Sequence, residues 1–282
     1  MSTVCPDMTL PINATTRTVT VPGARLHYEV RGSGPLLLVI GSPMASAEFA
    51  PLADALAGGH TAVTYDPRGH ANSTIDDPDE DATAESRADD IAAILDDLGA
   101  ESADVFGSSG GAVTGLALVT RHPGRVRTLV AHEPPLLELL PDAAAQRANT
   151  DDIIDTFHTS GVQAAWYRFM VTAGFDMTAP DGAPVQAPPE PSDDDRADAA
   201  RFFDHELRQT TRYLPDIEAL KNSSSRVLIG LGVDSGRLVT HRTSTVLAEL
   251  LGSTPVEFPG DHGGFLGAPD DFARRLTEVL RG

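Results

Sequence analysis

Leu26, Tyr28 and Val30 alternate with His27 and Glu29, the period of a half-buried strand over 25–31, and the glycines and proline at 32–35 mark the turn that ends it. Residues 36–40, Leu-Leu-Leu-Val-Ile, form an unbroken apolar run, as expected of a strand covered on both faces of a parallel sheet. Helical spacing follows over 47–57, then a short strand at 61–65. Ile91, Leu95 and Leu98 recur at i, i+4 and i+7 with aspartates opposite, which predicts an amphipathic helix over 86–98. Strand 103–106, helix 110–121 and strand 126–131 continue the rhythm. It resumes at 226 with strand 227–231, helix 243–251, strand 256–258 and helix 271–280. Strands alternating with helices imply right-handed crossovers and a mostly parallel, doubly wound α/β sheet.

Between 134 and 225 the alternation fails. Helical patterns at 153–157, 162–170 and 197–207 surround a proline-rich stretch at 179–191. The expected organisation is a core built from 1–133 and 226–282, interrupted by a helical lid over 134–225. Such an insertion belongs over the carboxyl ends of the strands, where ligands bind in open α/β sheets.

The chain has 282 residues, with 41 acidic against 21 basic side chains and a net charge of −20. A surface that negative repels phosphate backbones and anionic lipid headgroups, so nucleic-acid and membrane partners are not expected. The single cysteine, Cys5, leaves no internal disulfide and no multi-cysteine metal site. Residues 1–10 lack the basic and apolar blocks of a secretory signal, and no apolar run approaches the ~20 residues of a membrane span. A cytoplasmic protein is expected.

Val105-Phe106-Gly107-Ser108-Ser109-Gly110-Gly111 fits Gly-x-Ser-x-Gly with Ser109 central, after a short apolar strand and before a helix. A tight turn there lifts the Ser109 hydroxyl above the sheet, and the Gly110 N–H faces the place where an oxyanion would form. Ser108 competes, but reading the motif from it loses the Gly-x-Ser-x-Gly frame. His262 lies in Phe258-Pro259-Gly260-Asp261-His262-Gly263-Gly264, a glycine-rich loop after the last strand, and is the candidate general base. Two carboxylates compete to orient it: Asp234, after strand 227–231, and Glu133, after strand 126–131.

From about Leu26 to the C-terminus these motifs resemble the α/β-hydrolase fold family. Tyr65-Asp66-Pro67-Arg68-Gly69 is similar to the turn after that family's fourth strand, with Ala71 where a second glycine is usual. Its customary His-Gly turn is Ile40-Gly41-Ser42-Pro43 here. The resemblance places the second oxyanion N–H on Ser42, because Pro43 has none. The family's histidine comes last in chain order, which implies His262. A finer similarity is to the zearalenone lactonases, which open a macrocyclic resorcylate lactone and carry their acid in a His-Glu-x-Pro segment. His132-Glu133-Pro134-Pro135 matches it, 24 residues (109 to 133) after the serine, and favours Glu133 over Asp234.

The resemblance implies a serine hydrolase that cleaves a small hydrophobic ester or lactone through an acyl-enzyme, with no metal or organic cofactor. A cofactor-free carbon–carbon-bond hydrolase or haloperoxidase would keep the same residues and differ in the lid, and a non-catalytic ligand receptor would share the fold. Trp166, Tyr167, Phe169 and Met170 are candidate lining for an apolar acyl or aryl site, though a helix packing on the core gives the same pattern.

Overall fold

The computed structural model describes residues 14–177 and 190–282; Cys5, residues 1–10 and most of the proline-rich stretch at 179–191 lie outside the described residues. Among the described residues, nine strands form one sheet: β1 (Thr15–Val21), β2 (Ala24–Gly32), β3 (Leu36–Ile40), β4 (Thr61–Tyr65), β5 (Thr74–Ile75), β6 (Ala103–Ser108), β7 (Val126–His132), β8 (Arg226–Gly232) and β9 (Val256–Phe258). Their order is β1-β2-β4-β3-β6-β7-β8-β9, with β5 paired to β2. The pairs from β4 through β3, β6, β7 and β8 to β9 are all parallel, and β1, β2 and β5 add an antiparallel edge. The expected α/β sheet is thus present, and it carries two further strands, β1 and the two-residue β5, both paired to β2. β1 reads Thr-Thr-Arg-Thr-Val-Thr-Val and is largely exposed; only Val19 and Val21 at its end pack on the core, too short an apolar face for the pattern to reveal.

Helices α1 (Ser46–Leu56), α2 (Ala84–Asp97) and α3 (Gly110–Arg121) connect the first strands; α4 (Ala143–Ser160), α5 (Val162–Ala173), α6 (Asp193–His205), α7 (Leu207–Thr211) and α8 (Ile217–Lys221) lie between β7 and β8; α9 (Val239–Leu251), α10 (Gly264–Gly267) and α11 (Pro269–Arg281) complete the chain. The two-residue period of β3 divides it between two cores. Leu38 and Ile40 pack with α2 and α3, whereas Leu37 and Val39 pack with α1 and α11. Burial on both faces is why the run reads as continuously apolar.

The helices α4 to α7 share a separate cluster: Ile153, Ile154, Ala165, Ala199, Phe202, Phe203 and Leu207. Leu220 of α8 instead joins the core beside α2 and α3. Helix α4 is far longer than the expected 153–157, because the positions its first half buries, Gln146 and Thr150, are polar and show no apolar stripe. Helix α6 starts at a capping box in which Ser192 and Asp195 satisfy each other's backbone N–H. Among the described residues, no helix is long and apolar enough to cross a membrane.

Candidate active site

The strand order reverses at β3: the chain passes from β3 to β4 on one side, then returns to add β6 on the other. The carboxyl ends of β3 and β6 therefore diverge from one point, where open α/β sheets leave a crevice. Ser109 stands in that crevice, between the end of β6 and the first turn of α3, with φ 55° and ψ −122°. This positive-φ conformation is costly for a residue with a side chain. The close approach of the backbones imposes the flanking glycines. A Cβ on Gly111 would lie 2.2 Å from the Ile40 carbonyl oxygen, and one on Gly110 would lie 2.7 Å from that of Ser42. Ser42 and Gly110 are thus held side by side at the amino end of α3, where unpaired N–H groups and the helix dipole favour negative charge.

Glu133 follows β7, also at positive φ, 51°, and is fully buried. Its Oε1 accepts the Gly232 N–H at 2.9 Å, and its Oε2 accepts the Thr240 hydroxyl at 2.8 Å. His262 Nδ1 lies 2.7 Å from the same Oε2. Burial alone would push the Glu133 carboxyl up, but the hydrogen bond and charge of His262 hold it down at about 2. An ionised carboxylate only accepts, so His262 carries its proton on Nδ1 and leaves Nε2 free to accept one.

Asp234 is placed elsewhere. It is exposed at the turn after β8, and its backbone N–H donates to the Gly260 carbonyl at 2.9 Å. Ser108 faces inward, with its Oγ 3.2 Å from Nδ1 of the fully buried His132. Burial pushes His132 down to about 4, so this ring is neutral at pH 7. It packs against Phe106, Phe258, Phe265 and Phe272 and stacks on His262 at 6.1 Å, a wall behind the histidine.

Ser42, Ser109, Gly110 and His262 all line one cavity of about 360 Å³. Trp166, Phe169, Phe202 and Leu207 from the inserted helices close its far side. Tyr167, the other aromatic singled out on this helix, is 59% exposed and does not line it. The polar side chains on the wall are largely engaged: Thr150 donates to the Gln146 carbonyl, Thr211 to the Leu207 carbonyl and Thr240 to Glu133. Among the described residues, no arginine or lysine lines it. Among the described residues, no three His, Cys, Asp or Glu side chains are grouped to hold a metal ion.

Behind Ser42 lies a set of buried charges that no motif announces. Glu206, between α6 and α7 and fully buried, accepts the Ser42 hydroxyl at 3.1 Å and lies 2.7 Å from His70 Nε2. Arg87, also fully buried, donates to Thr114 Oγ1 at 3.1 Å and Thr210 Oγ1 at 2.8 Å. Arg87 Nη1 is 3.9 Å from Glu206 Oε2, and Arg201 Nε is 3.7 Å from Oε1. Burial pushes Glu206 up, but the charges of His70, Arg87 and Arg201 outweigh it and keep the carboxyl below its ordinary range. Arg87 stands four positions before Ile91, on the apolar face of α2; a charge on such a stripe is the one signal the sequence carries of this network.

A sequence profile of the α/β hydrolase fold matches residues 34–268. An uncharacterised hydrolase of Bacillus subtilis, YraK, is 34% identical over 278 residues, covering 93% of this chain and 95% of the relative. A zearalenone hydrolase of Cladophialophora bantiana is 27% identical over 272 residues, covering 93% and 95%. The crystal structure of a thermophilic esterase from Thermogutta terrifontis superposes with a TM-score of 0.71 at 19% identity, over 95% of this chain and 98% of that one, a likeness of fold. With its parallel sheet, its elbow turn at Ser109 and a profile match over most of its length, this chain belongs to the α/β-hydrolase fold family.

Proposed function

We propose that the protein is a serine hydrolase that cleaves neutral, hydrophobic carboxylic esters or lactones. The observation that carries this reading is the gathering of Ser109, Gly110, Ser42 and the Glu133-tethered His262 around one apolar cavity. Ser109 Oγ attacks the acyl carbonyl while His262 Nε2 takes its proton, then returns it to the departing alkoxide. Glu133 holds the imidazole in the accepting tautomer and stabilises the imidazolium. The N–H groups of Ser42 and Gly110 receive the tetrahedral oxyanion, a contribution of about 3 kcal/mol per donor in comparable sites. Water, activated by the same histidine, then releases the acid.

In this reading residues 134–225 form the lid and choose the substrate. A wall whose described residues include no arginine or lysine and few free donors favours an uncharged acyl or aryl group over a carboxylate. The relative described as a zearalenone hydrolase makes a resorcylate macrolactone one substrate to try. The test is a panel of neutral p-nitrophenyl esters, carboxylate-bearing esters and lactones including zearalenone, assayed on wild type and Ser109→Ala. We expect turnover of the neutral members by wild type and its loss in the folded variant. Retained activity in Ser109→Ala, or preference for the carboxylate-bearing esters, would refute the reading.

A further inference from the structure

The network around Arg87 and Glu206 takes no part in proton transfer, yet it touches both residues assigned to the oxyanion. On one side the Ser42 hydroxyl donates to Glu206 Oε2 at 3.1 Å. On the other, Arg87 Nε donates to Thr114 Oγ1, which donates at 3.1 Å to the Gly110 carbonyl. The 3.9 Å gap between Arg87 Nη1 and Glu206 Oε2 closes the path from one donor residue to the other. We propose that Glu206 and Arg87 are positioning residues whose buried contacts fix the spacing of the Ser42 and Gly110 N–H groups for the oxyanion.

Two features argue that this is more than packing. Replacing a buried charge pair with apolar side chains is often neutral or stabilising, so stability alone gives little reason for charges at this depth. The network also runs into the inserted helices. Glu206 directly precedes α7, whose Leu207, Thr210 and Thr211 line the cavity, and Thr210 Oγ1 accepts from Arg87. The turn that meets the acyl group is therefore the turn that holds Ser42. His70 on the core side and Arg201 on α6 complete the charge around Glu206.

The proposal rests on the acyl-transfer reading above, and the experiment separates the two. Ser42→Ala removes the tether but keeps the backbone N–H; Glu206→Gln removes the charge and keeps the shape. Both, their double variant and Ser109→Ala are assayed on one neutral p-nitrophenyl ester, with melting curves as the control for folding. Deleting a donor outright costs about 10²–10³ in kcat, so freeing one to drift is expected to cost roughly tenfold in kcat, with KM within about twofold, because the oxyanion exists only in the transition state. The double variant should be no slower than the slower single, since both break one path. Wild-type kcat in folded Ser42→Ala, a change in KM alone, or losses that multiply in the double variant would overturn the proposal. Where Glu206→Gln does not fold, Ser42→Ala decides alone. Activity surviving in Ser109→Ala would overturn the acyl-transfer reading, and this proposal with it; an inactive Ser109→Ala beside an unaffected Ser42→Ala would overturn the positioning role only.

Discussion

Glu133→Gln gives the sharpest test of the catalytic reading, because the surroundings dictate what an amide must do there. The Gly232 N–H is a fixed main-chain donor, 2.9 Å from Oε1, and demands the amide oxygen. The amide NH₂ then takes the place of Oε2, facing Thr240 and His262 Nδ1. The threonine hydroxyl can rotate to accept, but the imidazole accepts only by moving its proton from Nδ1 to Nε2. That tautomer has no lone pair left for the Ser109 proton. The opposite amide orientation sets an N–H against the Gly232 N–H and leaves that buried donor unsatisfied, at about 1–3 kcal/mol. The corresponding change in the serine-protease template lowers kcat about 10⁴-fold, or ~5.5 kcal/mol, and we expect a loss of that order. Asp234→Asn, at an exposed turn, should cost about tenfold or less through altered local electrostatics. The assay is kcat for both variants on the same ester, with melting curves to establish folding. A larger drop in Asp234→Asn would refute the assignment, and two comparable large drops would show that both carboxylates serve the histidine.

Two further predictions concern the scaffold. A Cβ on Gly111 would sit 2.2 Å from the Ile40 carbonyl oxygen, so Gly111→Ala must push β3 and α3 apart at a cost of about 3 kcal/mol; the melting temperature should fall by roughly 6 °C, and an unchanged value would show that the contact yields freely. Burial pushes His70 down, but Glu206 and Asp198 outweigh it and raise His70 from 6.5 to about 9. The stability this contributes is complete below 6.5 and is lost as pH rises through about 9, so wild type should lose more melting temperature between pH 6 and 10 than His70→Gln, and parallel curves would contradict the charge assignment.

The central sheet is legible because burial on two faces leaves a mark in β3, β4, β6, β7 and β8, and because the elbow needs glycines whose spacing is visible. What escapes the sequence is polar. β1 offers the core only Val19 and Val21 at its end, and the first half of α4 buries the polar Gln146 and Thr150. Thr240 bonds to Glu133, 107 positions away in the chain, and Glu206 meets Ser42 across 164, distances at which no local pattern survives. The choice between Glu133 and Asp234 has the same origin: each follows a parallel strand, and only three-dimensional placement shows which carboxylate His262 meets.

The way the strand ends are joined accounts for that placement. The Ser109 N–H donates to the His132 carbonyl, the Glu133 N–H to Gly230, and the Val233 N–H to Phe258, so β6, β7, β8 and β9 are stitched in series just where each turns away from the sheet. Among the described residues, three without glycine's freedom take a positive φ: Ala71, Ser109 and Glu133. Ala71 adopts at φ 48° the left-handed turn that the family pattern usually gives to glycine. The other two are the candidate nucleophile and acid, on neighbouring strands. A positive-φ residue at a strand end turns the chain sharply and throws its side chain over the sheet edge, at a cost of about 1–3 kcal/mol. Glu133 is held in that state from both ends, by its own N–H on Gly230 and by the Gly232, Thr240 and His262 contacts on its carboxylate. Asp234 lies one strand further from Ser109, with its backbone N–H tied to Gly260 and its side chain in solvent. The loop of His262 crosses back over β8, and the carboxylate it meets there is the one that β7 presents.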